Sequence, residues 1–538
     1  MLGADILIES LKAQGIRSLF GMPGTQNIHL YDALLRRGGI DHYLIRNEQG
    51  ATLMANGYAR ATGEVGVALT VPGPGSTNAS TGLGDAYTDC VPVLLITGGT
   101  EVAHDSRDRS KVFHGLDQEP FFKPITRFYG RAEKPQDIPA VVAAAFAALR
   151  APRPGPAVVE IPSDVAQMEA EVAIPDRVAG THPIPDRAAL ARVAELVRKW
   201  RRPAILVGSN AIAAGATDEV QALAEVLEAP ALMTRLGKGA ISDAHPLCIS
   251  DCRAKLGQTL LSQADGLLIA GARLTQIDTS GWTLELPASR AQLDPDGGEL
   301  GREVEIEVGA TGDLKQGLAL LIEMLQEGGL PQPEWGELVH EHRREIEATR
   351  PPLPIMSAMR EALDEDAIAV VDVTSIAYRA FDEFPVYRPR TFLYPCYYVT
   401  LGFAVPAAIG AKVACPQRQV VAFCGDGGFQ MTACELSTAA EYGIGVVFVV
   451  INDGGLLAIR GSQEKTFAGR TIDTDMQVPR LAEMAQAMGV RGVRVEEEEA
   501  FAAPFAEALQ HPGPTVIEVM MEKQREEIIR RVPWIHPD

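Results

Sequence analysis

Short apolar runs alternate with stretches of helical periodicity along the whole chain. In the first part of the chain, each apolar run of strand length ends in glycine, proline or polar residues, and a segment with apolar residues at helical spacing follows. Buried strands that alternate with helices predict a parallel sheet with helices on both faces. The predicted strands here are Ser18–Phe20, His42–Ile45, Val65–Val71 and Val91–Thr97.

The same alternation recurs twice further along the chain, after two polar, proline-containing stretches at Glu169–Arg187 and Gln332–Pro354 that we interpret as linkers. The sequence therefore predicts an α/β protein with three doubly wound parallel-sheet domains, at residues 1–165, 185–330 and 352–538. The middle one is Rossmann-like but has no GxGxxG fingerprint. The further predicted strands are Arg202–Gly208, Ala231–Thr234, Ala264–Ala270, Arg290–Asp294, Ala367–Val373, Val420–Phe423 and Val446–Ile451.

The composition limits the classes of function. Of the 538 residues, 46% are hydrophobic and 22% are charged, which is typical of a globular protein with large cores. A net charge of −21 argues against a nucleic-acid surface and favours a cytoplasmic protein. Seven scattered Cys form no CxxC pair, and no apolar run approaches the roughly 20 residues needed to cross a membrane. The first residues predict an amphipathic helix and lack a cleavable signal pattern.

Two acidic residues follow neighbouring predicted strands. Gly425–Gly428 and Asn452–Gly455 each come directly after a continuous apolar run, and each contains one aspartate, Asp426 or Asp453. Parallel strands deliver their carboxyl ends to one edge of a sheet, so both carboxylates should lie there beside glycine amides. Hard oxygen ligands next to exposed amides predict a site for Mg²⁺ and a diphosphate. Ordinary turns rich in Asp and Gly are the alternative.

This pattern resembles the thiamin diphosphate-binding motif, in which GDG is followed by an Asn-Asn pair. The resemblance implies that Asp426, Asp453 and the carbonyl of Gly455 hold the metal, with Asp in place of the usual Asn at position 453. It further implies that residues of the two glycine loops contact the cofactor, namely Gly425, Gly427, Gly428 and Leu456.

The first domain carries a second resemblance to the same enzymes. The stretch RNEQGA, which contains Glu48, is similar to their RHEQGA-type segment, and GMPGTQN is similar to their GxPG loop. The resemblance implies that Glu48 hydrogen-bonds the aminopyrimidine ring and so promotes formation of the thiazolium ylid, with Pro23 and Asn78 beside the cofactor. A solvated glutamate at the start of a helix is the alternative.

The third domain adds further candidates. The hydroxyls of Thr374 and Ser375, at the end of a predicted strand, could reach the diphosphate. Val399–Gly410 is predicted as an apolar helix, and it resembles the segment GxLGxxLPAAIGA of the same enzymes. The resemblance implies that the Val399 carbonyl accepts the 4′-amino group and that Leu401 props the cofactor in its V shape, which makes the proton transfer intramolecular. A closely packed core helix is the alternative.

These motifs run through the chain in the order of the acetolactate synthase-like, or benzoylformate decarboxylase-type, superfamily. The resemblance implies pyrimidine-binding, central and diphosphate-binding domains, with each active site between two subunits of a homodimer or homotetramer. It implies ylid attack on a 2-oxo acid, followed by an enamine intermediate. The central domain either binds FAD, through an Arg such as that in Gly271–Arg273, or is a packed structural layer.

The substrate is less closely specified. Gln118 lies in a segment similar to the acetolactate synthase loop that approaches substrate, which favours a carboligase. Ser462 stands where those enzymes place a Trp that selects the acceptor, so a simple 2-oxo acid decarboxylase is the first alternative. A catalytically silent scaffold is the second, although intact Glu48 argues against it. The predicted pocket consists of Thr25, Gln118, Leu456 and Ile459, of which Thr25 and Gln118 are assigned with Glu48 to catalysis.

Overall fold

The computed structural model describes residues 1–181, 183–330, 333–349 and 353–521. The predicted domain 352–538 and the linker before it therefore extend in part outside the described residues. Three six-stranded sheets are present, and every strand pair within them is parallel. The predicted fold class is confirmed.

The first sheet has the strand order β2-β1-β3-β4-β6-β5. Its central strands are buried on both faces because helices cover them, as their continuous apolar sequences require. The strands are β1 Ser18–Gly21, β2 Asp41–Leu44, β3 Gly66–Thr70, β4 Val93–Gly99, β5 Phe128–Arg131 and β6 Ala157–Pro162. The helices are α1 Gly3–Ala13, α2 Ile28–Arg37, α3 Glu48–Thr62, α4 Pro74–Asp89, α5 Gln118–Phe122, α6 Ile138–Leu149 and α7 Ser163–Gln167.

The second sheet has the order β12-β11-β10-β7-β8-β9 and its own apolar core. The strands are β7 Pro203–Val207, β8 Ala231–Met233, β9 Cys248–Ile249, β10 Gly266–Ala270, β11 Ser289–Asp294 and β12 Val308–Thr311. The helices are α8 Arg187–Val197, α9 Ser209–Ala213, α10 Thr217–Leu227, α11 Lys255–Gln263, α12 Leu314–Gly328 and α13 Leu338–Thr349.

The third sheet has the order β14-β13-β15-β16-β18-β17, so the chain reverses direction across the sheet between β13 and β15. The crevice at such a switch point is where open α/β sheets bind ligands. The strands are β13 Ile368–Val371, β14 Phe392–Leu393, β15 Val420–Gly425, β16 Val447–Asn452, β17 Arg491–Val495 and β18 Thr515–Met520. The helices are α14 Pro354–Ala362, α15 Ala377–Glu383, α16 Ala404–Ala414, α17 Asp426–Thr432, α18 Leu436–Glu441, α19 Leu457–Thr466, α20 Leu481–Ala487 and α21 Ala502–Gln510.

The first and third sheets share one apolar core, built where α3 packs on α16. The backbones of these helices touch at two glycines. A Cβ atom on Gly57 would lie 2.0 Å from the carbonyl oxygen of Ala407, and one on Gly410 would lie 1.9 Å from that of Met54. Any larger residue would force the helices apart, so these glycines fix the distance between the two domains. Within the described ranges, no helix is both long and apolar enough to cross a bilayer.

Candidate functional site

The carboxylate of Asp426 joins the two glycine segments at the switch point of the third sheet. No loop residue separates β15 from α17, because the strand ends at Gly425 and Asp426 is already the first residue of the helix. Its Oδ1 accepts a hydrogen bond from the amide of Gly427 (2.7 Å), and its Oδ2 accepts one from the amide of Gly454 (2.9 Å). Asp426 and Asp453 are only 2% and 4% exposed. The predicted pair of acidic residues therefore lies at one sheet edge.

The glycines at this edge leave space that side chains would fill. A Cβ atom on Gly425 would lie 2.9 Å from Oγ1 of Thr374, and one on Gly427 would lie 3.0 Å from Cδ2 of Leu456. Leu456 is held in turn by its amide, which donates to the carbonyl of Thr474 (2.8 Å). A cradle of this kind with carboxylate and carbonyl oxygens beside it fits a metal-bound diphosphate.

The remaining candidates of this region differ in exposure. Ser375 is buried, Thr374 and Leu456 are half-buried, and Gly455 is buried and forms an antiparallel bridge with Asp475. Ile459 is 42% exposed on α19, three residues past Leu456. Among the described residues there is no cluster of three or more His, Cys, Asp or Glu suited to a metal ion. A metal held here would therefore take its other ligands from the backbone and the diphosphate.

The segment with Val399 and Leu401 is not helical as predicted. The helix α16 begins only at Ala404, because Val399 has a φ of +58° and Gly402 a φ of +79°. A β-branched residue in the left-handed region is strained, and such strain is found at ligand-binding sites. The segment is an irregular turn, and the side chain of Leu401 in it is half-buried.

Asp372, which lies within the predicted strand Ala367–Val373, holds this turn. Its carboxylate oxygens accept hydrogen bonds from the amides of Gly402 and Ala404, each at 3.1 Å. Burial raises the pKa of Asp372 to about 6. An acidic residue at the end of an apolar strand, next to a switch point, is the signal that could have identified it.

Glu48 lies at the carboxyl edge of the first sheet. It is the first residue of α3, whose amino end is capped by Asn47, since the Asn47 side chain accepts from the amide of Gln49. Glu48 Oε2 accepts a hydrogen bond from Nδ2 of Asn78 at 3.0 Å, and a Cβ atom on Gly75 would lie 3.1 Å from Oε1. The carboxyl group is half-buried and Asn78 is exposed, so this edge is open to solvent.

The predicted GxPG-type loop lies beside the same edge. Pro23 and Thr25 are exposed, and the loop is closed by a hydrogen bond from the amide of Gly24 to Oδ1 of Asn27 (2.7 Å). A Cβ atom on Gly24 would lie 2.5 Å from Cγ1 of Val71, and one on Gly75, the glycine beside Glu48, would lie 2.7 Å from Cγ2 of Val71. Pro23, Thr25, Glu48 and Asn78 are thus brought to one edge.

Gln118 is buried within the first domain, and its side-chain amide is hydrogen-bonded there. Its Nε2 donates to the carbonyl of Gly98 and its Oε1 accepts from Oγ1 of Thr97, both at 3.1 Å. Only 2% of the residue is exposed. Its amide is therefore engaged at the end of β4, and any effect on substrate would require these bonds to rearrange.

A buried glutamate of the third domain, Glu435, caps the segment that carries Glu48. Its Oε1 accepts from the amides of Arg46 (3.0 Å) and Asn47 (2.9 Å), and Oγ1 of Thr438 donates to its Oε2 (2.7 Å). Burial raises the pKa of Glu435 above its usual range. The sequence analysis missed this residue, although a carboxylate in the small, apolar segment Ala433–Leu436 is a usable signal.

A cavity of about 490 Å³ lies between the first and second sheets, within the usual range for small-molecule sites. Arg153 and Asn210 line it, and Nε of Arg153 and Oδ1 of Asn210 are buried without a hydrogen-bond partner among the described residues. Arg273 is not in its lining: its guanidinium donates to the carbonyl of Thr88 and lies 5.2 Å from the ring centre of Tyr397. The cavity suits a polar ligand. Arg273 instead connects the second domain to Thr88 of the first and Tyr397 of the third.

Three family profiles match the chain in order. They are the thiamine pyrophosphate enzyme N-terminal TPP-binding domain at residues 1–121, the central domain at 190–321, and the C-terminal TPP-binding domain at 372–519. The first profile spans β1 to β4 of the first sheet, the second spans every strand of the second sheet, and the third begins directly after β13 of the third sheet.

Several curated proteins are similar over nearly the full length. The acetolactate synthase large subunit of Lactococcus lactis is 31% identical, over 100% of this chain and 95% of that protein. The acetolactate synthase large subunit of Parasynechococcus marenigrum is 33% identical, over 97% of this chain and 88% of that protein. The acetolactate synthase isozyme 3 large subunit of Escherichia coli is 30% identical over 94% and 92%.

Proposed function

Because this chain belongs to the thiamine pyrophosphate enzymes, and within them to the acetolactate synthase-like group, we propose that it is a Mg²⁺-dependent carboligase acting on 2-oxo acids. The proposal rests above all on Asp426, whose two carboxylate oxygens bind the amides of both glycine segments. This contact requires both segments to converge on one point, as a metal–diphosphate site needs.

The roles follow from the chemistry of each group. Asp426, Asp453 and the Gly455 carbonyl hold Mg²⁺, since all three offer hard oxygen ligands. The amides of Gly425, Gly427 and Gly428 and the hydroxyls of Thr374 and Ser375 hold the diphosphate. Thiamin diphosphate, when bound, supplies a ring that stabilises a carbanion next to a carbonyl. The Val399 carbonyl would accept a hydrogen bond from the amino group of the cofactor, and Leu401 and Leu456 would support the cofactor. The Glu48 carboxyl group would hydrogen-bond the aminopyrimidine ring and could hold or release a proton there, with Pro23 and Asn78 alongside.

We place each active site between two copies of the chain, in a homodimer or homotetramer. The edge that carries Glu48 is exposed at Pro23, Thr25 and Asn78, and the adjoining start of α3 is bound to Glu435 of its own chain. A second copy would cover the exposed edge with its metal-binding crevice. We keep the domain limits 1–165, 185–330 and 352–538, and we propose a cytoplasmic location.

The identity of the products tests the function. Purified protein with thiamin diphosphate and Mg²⁺ would be given pyruvate and longer 2-oxo acids, and the products would be identified. A 2-hydroxy ketone or a 2-hydroxy-3-oxo acid supports the carboligase. Because Ser462 is not the Trp of acetolactate synthases, a simple decarboxylase is the second candidate, and release of an aldehyde alone would establish it. A protein without affinity for the cofactor would be the silent scaffold.

The cavity at Arg153 and Asn210 is the proposed place for FAD, since Oδ1 of Asn210 is buried there without a hydrogen-bond partner among the described residues, and such an atom favours a bound ligand. A flavin spectrum in the purified protein, restored by FAD after the protein is stripped, would establish this cofactor. If the protein neither carries nor takes up flavin, the central domain has a structural role.

Substitutions in the proposed pocket should change the choice among 2-oxo acids. We expect Leu456→Ala and Ile459→Ala to change the ratio of kcat/KM for long and short substrates by about tenfold or more, because a missing methylene contact costs roughly 1–3 kcal/mol. Thr25→Val and Gln118→Ala are the other two pocket variants, and the same ratio would be measured for them.

The matched control for Ile459 is Leu35→Ala, since Leu35 is also an aliphatic side chain and is 85% exposed on α2. It should leave the ratio unchanged. If all four pocket variants keep the wild-type ratio, the proposed pocket is wrong.

Removing the cap at Glu435 should slow catalysis with little effect on cofactor affinity. Glu435→Ala leaves the amides of Arg46 and Asn47 without their acceptor, so the start of α3 and Glu48 shift. We expect kcat to fall about tenfold, the factor that corresponds to about 1.4 kcal/mol.

The control is Glu441→Gln, because Glu441 pairs with the Arg46 side chain in the same region, binds no backbone amide among the described residues and is 44% exposed. It should keep nearly full kcat. Equal losses for both variants would contradict a specific role for Glu435.

A further inference from the structure

The turn with Val399 passes between the third domain and helices α3 and α4 of the first. Val399 is strained at a φ of +58°, and strain of this kind persists only where the surroundings impose it. On one side, Asp372 binds the amides of Gly402 and Ala404, and Oγ1 of Thr432 donates to the carbonyl of Gly402 (2.8 Å).

On the other side, two aspartates of α4 bind the turn. Asp89 accepts hydrogen bonds from the amides of Cys396 (2.9 Å) and Tyr397 (3.0 Å). Asp85 Oδ2 accepts one from Oγ1 of Thr400 at 2.9 Å. Asp89 therefore holds the residues two and three positions before Val399, and Asp85 holds the residue directly after it.

Arg60, in the last turn of α3, ties the aspartates together. Its Nη2 is 2.9 Å from Asp85 Oδ1 and 2.7 Å from Asp89 Oδ2, and its Nη1 donates to the carbonyl of Tyr394 (3.0 Å). The side chain of Arg60 is 8% exposed, and those of Asp85 and Asp89 are fully buried at 0%. Taking three charges out of water is costly unless each is fully bonded, so a simple tie between domains would be better served by apolar residues.

We propose that Arg60, Asp85 and Asp89 are positioning residues that set the Val399 carbonyl and the Leu401 side chain for thiamin diphosphate. They act through Thr400 and through the backbone of residues 394–397, and they touch no reacting atom. This inference rests on the proposed function, in which Val399 and Leu401 contact the cofactor. The alternative is that Arg60, Asp85 and Asp89 only hold the first and third domains together.

The experiment measures cofactor affinity by titration calorimetry with Mg²⁺ in excess, together with thermal stability. Asp89→Asn leaves one backbone amide of the turn without its acceptor, and Thr400→Val removes only the hydroxyl that binds Asp85. We expect thiamin diphosphate to bind about tenfold more weakly to each variant. Thr400→Ser restores the hydroxyl and should bind the cofactor within about twofold of wild type.

Asp243→Asn is the matched control. Asp243 is a buried aspartate of the second domain, paired with buried Lys238 at 2.9 Å, and it accepts from the amide of Val386 in the third domain (2.8 Å). This variant should lose thermal stability but keep wild-type affinity for the cofactor.

Wild-type affinity in both Asp89→Asn and Thr400→Val would overturn the inference, as would an equal loss in Asp243→Asn. If Asp89→Asn does not fold, the Thr400 pair decides alone. A wild-type protein that fails to bind the cofactor would instead refute the proposed function, so the two failures are distinct.

Discussion

Glu48→Gln is expected to lower turnover by about 10²- to 10⁴-fold while thiamin diphosphate still binds, because general acid–base groups contribute that much to catalysis. Glutamine has the same shape but cannot exchange a proton with the aminopyrimidine ring. Glu48 Oε2 accepts from Nδ2 of Asn78, so the amide is held where the carboxylate was, without its chemistry. Steady-state turnover and cofactor affinity, measured on the same preparation, check this expectation.

A direct readout separates activation from later steps. Exchange of the cofactor C2 proton with solvent deuterium, followed by NMR after acid quench, should slow by a similar factor in Glu48→Gln. The control is Glu64→Gln, since the Glu64 side chain is 59% exposed just beyond α3 and forms its ion pair with Arg177 at the surface. Intact turnover in Glu48→Gln would refute the assignment of this residue and with it the mechanism.

The second large effect concerns the metal. Asp426→Ala is expected to weaken cofactor binding by more than about 100-fold, because it removes a metal ligand as well as the acceptor for Gly427 and Gly454. Asp453→Ala should act similarly. Chelation with EDTA should abolish activity in the wild type, and added Mg²⁺ should restore it.

The matched control lies at position 453 itself. The related motif has Asn there, and Asn keeps one oxygen ligand, so Asp453→Asn should bind the cofactor within a few fold of wild type. If Asp453→Asn and Asp453→Ala lose the same affinity, the charge matters more than the ligand oxygen. Activity that survives both EDTA and Asp426→Ala would exclude the proposed metal site.

Most of the fold could be predicted because parallel strands are continuous apolar runs. The run at Val446–Ile451, for example, corresponds to β16 at Val447–Asn452. The predicted start of a helix was wrong where the backbone adopts positive φ values. The segment Val399–Phe403 has a helical pattern of apolar residues, but positive φ values at Val399 and Gly402 and the bonds to Asp372 delay the helix to Ala404.

The candidate site could be predicted in part, since Glu48, Asp426 and Asp453 belong to local motifs. The residues that hold these groups in place could not be predicted, because their contacts join positions far apart along the chain. Glu435 binds amides 388 and 389 positions away, and Asp89 binds one 307 positions away. Periodicity carries no information at such separations. Charged residues such as Arg60 inside an otherwise small and apolar helix are the one local hint.

Helix α3 has a further consequence. Glu48 begins it and Arg60 lies twelve residues later, about 18 Å along the axis at 1.5 Å per residue. In the proposed dimer the first of these serves the neighbour's catalytic centre and the second braces the centre of its own chain. Helix α3 thus connects both catalytic centres, so a change of geometry at one centre should displace residues at the other.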